Sequence, residues 1–189
     1  WQANYNQLVN LFPEFKDVSV DELVSMINKT ECALIRTEAD ELTYPLHIMV
    51  RYEIEKEIAK GNIDYDKLPE LWADKYEEYL GVRPANYKEG VLQDMHWSTG
   101  YLGYFPTYAL GSAYAAQLYA TMEKQFDVKE ALLTNHFEKI TDWLKENVHH
   151  YAASKSMAEI VEEVSGEPFN PDYYTDYLIK KYKKLYNLD

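Results

Sequence analysis

The chain has 189 residues, enough for one domain with a core of its own, and its hydrophobic fraction of 47% is ordinary for a globular protein. Lysine and arginine number 19 against 32 aspartates and glutamates, giving a net charge of −13. So acidic a surface repels phosphate backbones and disfavours nucleic-acid binding. No apolar run approaches the roughly 18 residues that cross a bilayer, and no basic start followed by an apolar stretch marks a secretory signal, so no membrane partner is expected. The single cysteine, Cys32, cannot form an internal disulfide, which favours a cytoplasmic location and a buried or half-buried thiol.

The chain opens in mid-pattern, on Trp1, Tyr5, Leu8, Val9 and Phe12, and reads as cut from something longer; a processed start is the plain alternative. Ser19 and Glu22 have capping-box spacing ahead of Leu23, Met26 and Ile27 and start a short helix. From about Ala39 to Ala59 the residues Leu42, Leu46, Met49, Val50, Ile54 and Ile58 recur at helical intervals, with Gly61 as the stop. Pro45 is expected in the first turn of that helix, leaving residues 34–38 extended or irregular. Asp66 is placed to cap a second helix through Leu80, ended by Gly81.

Residues 87–104 mix glycines and aromatics without clean periodicity. After Pro106 a helix rich in alanine is expected, through Ala109, Ala113, Ala116 and Ala120. Further helices are expected near Lys129–Asn147, Met157–Val164 and Pro171–Tyr186, the last with Asn170 as cap. The fold class is all-α: an irregular multi-helix domain over residues 1–189, with at most a short strand pair.

Side chains suited to site chemistry gather in two segments. In the first, Ile35–Glu55, Arg36 sits among Leu34, Ile35 and Ala39, where a guanidinium can bind a carboxylate through two parallel hydrogen bonds. The plainer role is an ion pair with Glu38 or Asp40. His47 and Arg51 share a helix face with Tyr44, either as a polar stripe toward a cleft or as satisfied core groups. In the second segment, Gly90–Gly111, Gln93, Asp94, His96, Trp97, Tyr101, Tyr104 and Tyr108 crowd together. The histidine and tyrosines suit donation to an oxyanion, and Asp94 suits orienting a neighbouring base. An aromatic packing cluster would use the same residues.

Other chemistries fail on spacing. There is no HExxH, and one cysteine cannot build a structural zinc site. Only Glu146 and His149 have the Glu-x-x-His spacing of a di-iron bundle, which needs two such pairs. Neither a G-x-S-x-G elbow nor a phosphate loop occurs. The sequence therefore offers no metal ligand set.

IRTEAD, Ile35–Asp40, matches an I-R-x-x-A-D motif, and GVLQDMHW, Gly90–Trp97, matches G-x-x-Q-D-x-H-W. Both motifs, in this order, together with the intervening ADELTYPLHI, LPELW, EYLGV and GYFPTYALG, resemble the carboxypeptidase Taq family. The resemblance runs from Trp1 to the end. It implies a helical, commonly homodimeric metallocarboxypeptidase that uses zinc or cobalt to release C-terminal residues from peptides with a free C-terminus. In that family the HExxH helix and the glutamate completing the metal site lie upstream of the region matched here. This chain carries neither, so the resemblance implies a C-terminal part that is inactive without its N-terminal half.

Carried onto these residues, the resemblance makes Arg36 the clamp for the substrate carboxylate and places His96 where it would stabilise the tetrahedral intermediate. Tyr104 or Tyr108 is expected to share that task by analogy with other helical HExxH peptidases. Gln93 and Asp94 are expected to position His96, Asp40 to orient Arg36, and Trp97 to line the substrate side. Arg36 and His96 should then converge on one groove. The competing readings are a non-catalytic helical interaction domain and a dimerisation module.

Overall fold

Ser19 and Glu22 close their cap as the spacing requires: the Ser19 N–H donates to Glu22 Oε2 at 2.8 Å, and the Glu22 N–H to Ser19 Oγ at 3.2 Å. The structure, a computed structural model, describes residues 1–189. It is all-helical: nine α-helices joined by turns and short 3-10 segments, and the strand pair allowed by the sequence does not form. The chain divides into two compact units, residues 1–27 with 112–189, and residues 28–111.

In the unit of residues 28–111, α3 (Tyr44–Lys60) and α4 (Leu68–Leu80) carry the core. The apolar positions of α3 meet those of α4 in a cluster of Val50, Ile54, Trp72, Tyr76 and Leu80, all buried. Each such aliphatic side chain contributes on the order of 1.5–3 kcal/mol by leaving water, so Ile54→Ala would cost roughly 2–5 kcal/mol. Pro45 lies in the first turn of α3, where its missing N–H has no intrahelical partner to lose. The helix starts at Tyr44 rather than near Ala39 because Asp40 folds residues 40–43 into a turn, accepting from the N–H groups of Leu42 and Thr43 at 2.9 and 3.0 Å. Gly61 and Gly81 end α3 and α4 in the left-handed region, at φ of +71° and +67°, where a Cβ is strained. Asp66 does not cap α4. Asp64 instead accepts from the Asp66 N–H and caps a 3-10 turn ahead of it, because its carboxylate lies two residues upstream of an unpaired donor. Cys32 is exposed, against the buried or half-buried thiol expected, since it lies in irregular chain outside both helices.

The other unit contains α1 (Tyr5–Leu11), α2 (Val20–Ile27), α6 (Val128–Leu133), α7 (Phe137–Asn147), α8 (Met157–Ser165) and α9 (Asp172–Tyr186). The division falls within α5 (Pro106–Glu123), after Gly111. Leu118, Met122, Val128, Trp143 and Val161 form its core. The helix expected over Lys129–Asn147 is two, broken where Asn135 adopts a φ of +58°, a conformation asparagine tolerates better than most side chains. Gln117 is fully buried yet satisfied: its amide donates to Ser165 Oγ and the Pro168 carbonyl, and its oxygen accepts from the Asn170 N–H. Asn170 in turn accepts from the Asp172 N–H, but α9 begins at Asp172 with Pro171 in the N-cap position, one residue later than the expected start at Pro171 capped by Asn170.

Candidate substrate-binding cluster

The two motifs meet within the unit of residues 28–111. I-R-x-x-A-D supplies a 3-10 turn, Arg36–Glu38, and G-x-x-Q-D-x-H-W supplies an irregular loop ending in the 3-10 turn Trp97–Thr99. The loop can tighten because residue 90 has no side chain: a Cβ there would lie 3.2 Å from the Asn86 carbonyl oxygen and 3.3 Å from Pro84 Cγ.

Asp94 is the hub. Its Oδ1 accepts from Arg36 Nε and Nη2 at 3.2 and 2.7 Å. Its Oδ2 accepts from Arg51 Nε at 2.6 Å and faces Arg51 Nη2 as well. Burial alone would hold Asp94 in its neutral form, but the two guanidiniums override it and keep the carboxyl below its usual range. Burial likewise opposes the charge on Arg36, and Asp94 outweighs it, raising the Arg36 pKa. The ion pair is buried on both sides, with two Arg36 donors converging on one oxygen, so removing either partner would strand a buried charge.

Arg36 Nη1 also donates to the Tyr44 hydroxyl at 2.7 Å. Its guanidinium carbon lies 5.2 Å from the centre of the Tyr108 ring and 5.5 Å from that of Phe105. Arg51, wholly buried, stacks over Trp72 at 4.5 Å and over Phe105 at 5.3 Å. Its Nη1 donates to the His47 carbonyl and to the Tyr76 hydroxyl. His47 Nδ1 lies 3.0 Å from that same hydroxyl. Burial first, then Arg51 and Arg36, push the His47 pKa down to about 4, so the ring is neutral at ordinary pH.

His96 packs against the same Phe105, ring centres 4.4 Å apart, and its Nε2 lies 3.2 Å from the Tyr108 hydroxyl. Tyr104, 44% exposed, also stacks on the imidazole, ring centres 5.6 Å apart. Arg36 and His96 therefore come together around Phe105, Tyr108 and Asp94, whose Oδ1 is 4.0 Å from His96 Nδ1. Trp97 is held by a 2.9 Å bond from its indole N–H to Glu55, and its ring packs edge-on against Trp72 and Phe105.

Several expected pairings are replaced by others. Arg36 pairs with neither Glu38 nor Asp40; Asp40 spends its carboxylate on Thr30, Thr43 and the N–H groups of Glu31, Leu42 and Thr43, so it does not orient Arg36. The Gln93 amide turns back to the Lys88 carbonyl rather than to His96, since the tight loop leaves that acceptor within reach. Asp94 serves the two arginines and reaches His96 only at 4.0 Å. His47 and Arg51 line no open stripe, being fully buried. Tyr76 and Phe105 escaped sequence reading because each sits in an apolar pattern that reads as core. Arg51 was signalled by its i, i+4 spacing from His47.

These donors do not suit a metal ion. No group of three or more His, Cys, Asp or Glu side chains is arranged to hold one. The carboxylate nearest His96 is enclosed by two guanidiniums, which repel a cation.

What the fold and the cluster define is an all-helical chain whose paired arginines, held by one carboxylate, adjoin a histidine–tyrosine cluster. A family model described as Carboxypeptidase Taq (M32) metallopeptidase matches residues 1–182, and the chain belongs to that family. It is 46% identical over 190 residues to Carboxypeptidase 1 of Bacillus subtilis, covering 100% of this chain and 38% of that protein. To Thermostable carboxypeptidase 1 of Thermus thermophilus it is 40% identical, over 98% of this chain and 37% of the relative. Among solved structures, the M32 carboxypeptidase of Deinococcus radiodurans matches with a TM-score of 0.95 at 34% identity, over 99% of this chain and 38% of that one. The Trypanosoma cruzi metallocarboxypeptidase 1 matches at 0.91 and 35% identity, over 96% and 37%. The chain thus spans 36–38% of the length of the curated relatives it matches.

Proposed function

We propose that this chain supplies the substrate-carboxylate and oxyanion contacts of a metal-dependent carboxypeptidase acting on peptides with a free C-terminus. The observation that supports it best is Arg36. Of the five N–H groups of a guanidinium, three bond to Asp94 and the Tyr44 hydroxyl, leaving two for a second carboxylate beside the Tyr108 ring. A terminal carboxylate seated there would bring the scissile carbonyl toward His96, Tyr104 and Tyr108, whose polar hydrogens suit a developing oxyanion. Asp94 and Trp97 fix the loop that carries His96; Gln93 and Asp40 stiffen the backbone around the two motifs.

The family is one of metallopeptidases. Zinc or cobalt is our reading of the metal, held by an N-terminal half with its own HExxH, because the donors of this chain do not suit it. A homodimer and a cytoplasmic setting complete the reading. The test is a chimaera in which this chain replaces the matching segment of a curated relative. Release of C-terminal residues from peptides supports the proposal; a folded, metal-loaded chimaera without activity sinks it.

A further inference from the structure

The Tyr76 hydroxyl fixes a proton arrangement behind the arginine pair. Arginine only donates, so the 3.0 Å contact from Arg51 Nη1 makes the Tyr76 oxygen an acceptor. Tyr76 is fully buried, and the one remaining partner for its own hydrogen is His47 Nδ1 at 3.0 Å. If His47 Nδ1 carried a proton instead, both the buried tyrosine hydrogen and the His47 Nε2 lone pair would lack a partner, whereas the other tautomer leaves the Nε2–H alone unpaired. His47 therefore accepts at Nδ1 and bears its proton on Nε2. Arg36, Asp94, Asp40, Arg51 and Tyr76 all act on this ring, and its neutral form keeps a further positive charge from the pair.

The consequence falls on Asp94. Arg51 takes Oδ2 and is itself pinned by the His47 carbonyl, Tyr76 and the Trp72 face, so Asp94 can rotate toward neither side and presents Oδ1 alone to Arg36. We propose that Arg51, backed by Tyr76 and His47, is a positioning residue that sets the Arg36 guanidinium, through Asp94, with two N–H groups turned to an incoming carboxylate. This rests on the carboxylate-clamp reading and deepens it. Glu55, one turn after Arg51, does not compete, because its carboxylate is bonded to the Trp97 indole and forms no ion pair with Arg51.

The test is made on the 189-residue chain by nitrogen-15 NMR of the arginine Nε–H groups, titrated with N-acetylalanine and with its amide. In the unaltered chain the acid, not the amide, should shift the Arg36 signal. Arg51→Lys keeps the charge and loses the fork; it should weaken that binding by on the order of tenfold or more and speed exchange of the Arg36 Nε–H. Tyr76→Phe keeps the ring stacked on Trp72, 5.3 Å away, and should act in the same direction, which preserves the test should Arg51→Lys unfold. An Arg36 signal in the unaltered chain that ignores N-acetylalanine overturns the clamp itself. A signal that responds there and is unchanged in both variants overturns the positioning role alone.

Discussion

Asp94 and Arg36, 58 positions apart in sequence, meet side-on: one carboxylate oxygen accepts from Nε at 3.2 Å and from Nη2 at 2.7 Å. That contact ties the loop of one motif to the turn of the other, and its second oxygen ties both to α3 through Arg51.

Asp94→Asn removes the charge and leaves two buried guanidiniums facing each other. Breaking a buried pair in this way costs about 3–5 kcal/mol. Urea denaturation at neutral pH should show a loss of that size, with little change in slope. A loss below 1 kcal/mol, by the same measurement, would mean the pairs are solvated.

Much of the fold was legible because its signals are local. Ser19 and Glu22, Pro45 and Gly61 each carry their own geometry, so helix starts and stops follow from spacing. The helix break at Asn135 and the use of Asp64 to cap a 3-10 turn, with no side-chain cap on α4 itself, were not legible, since several polar residues there compete for the same backbone donors. In the site, I-R-x-x-A-D and G-x-x-Q-D-x-H-W named the right segments. The partners within them could not be read, because pairing over tens of residues depends on tertiary packing that periodicity does not encode.

Stability should depend on pH through His47. Folding lowers its pKa from 6.5 to about 4, so between those values the unfolded chain binds a proton that the folded chain refuses. The contribution is flat above about pH 6.5 and falls as pH drops toward 4, by roughly 3 kcal/mol in total. Protonation of Asp94, also held below its usual value, acts in the same direction at lower pH. Denaturation at pH 7 and pH 4.5 should show the fall, and His47→Gln should flatten it. An equal fall in both proteins would remove His47 from the account.

Gly90→Ala should destabilise the loop although its φ is not positive. The added methyl would meet the Asn86 carbonyl oxygen, a backbone atom, at 3.2 Å and Cγ of the Pro84 ring at 3.3 Å. Overpacking of this kind costs about 1–3 kcal/mol. Thermal unfolding reads it, and an unchanged midpoint would show that the loop yields freely.

His96→Ala in the chimaera should act chiefly on turnover. Losing one oxyanion donor lowers it by on the order of 100- to 1000-fold, with KM little changed. A raised KM at unaltered turnover would move His96 from the reacting carbonyl to ground-state binding.

The most direct measurement compares hydrolysis of matched peptides with a free acid and an amidated C-terminus, in the chimaera and in its Arg36→Ala variant. With Arg36 as the clamp, the preference for the free acid is strong in the parent and falls by about tenfold or more in the variant, while the amidated peptide is handled alike by both. An Arg36→Ala chimaera that stays folded and keeps the full preference would contradict the account.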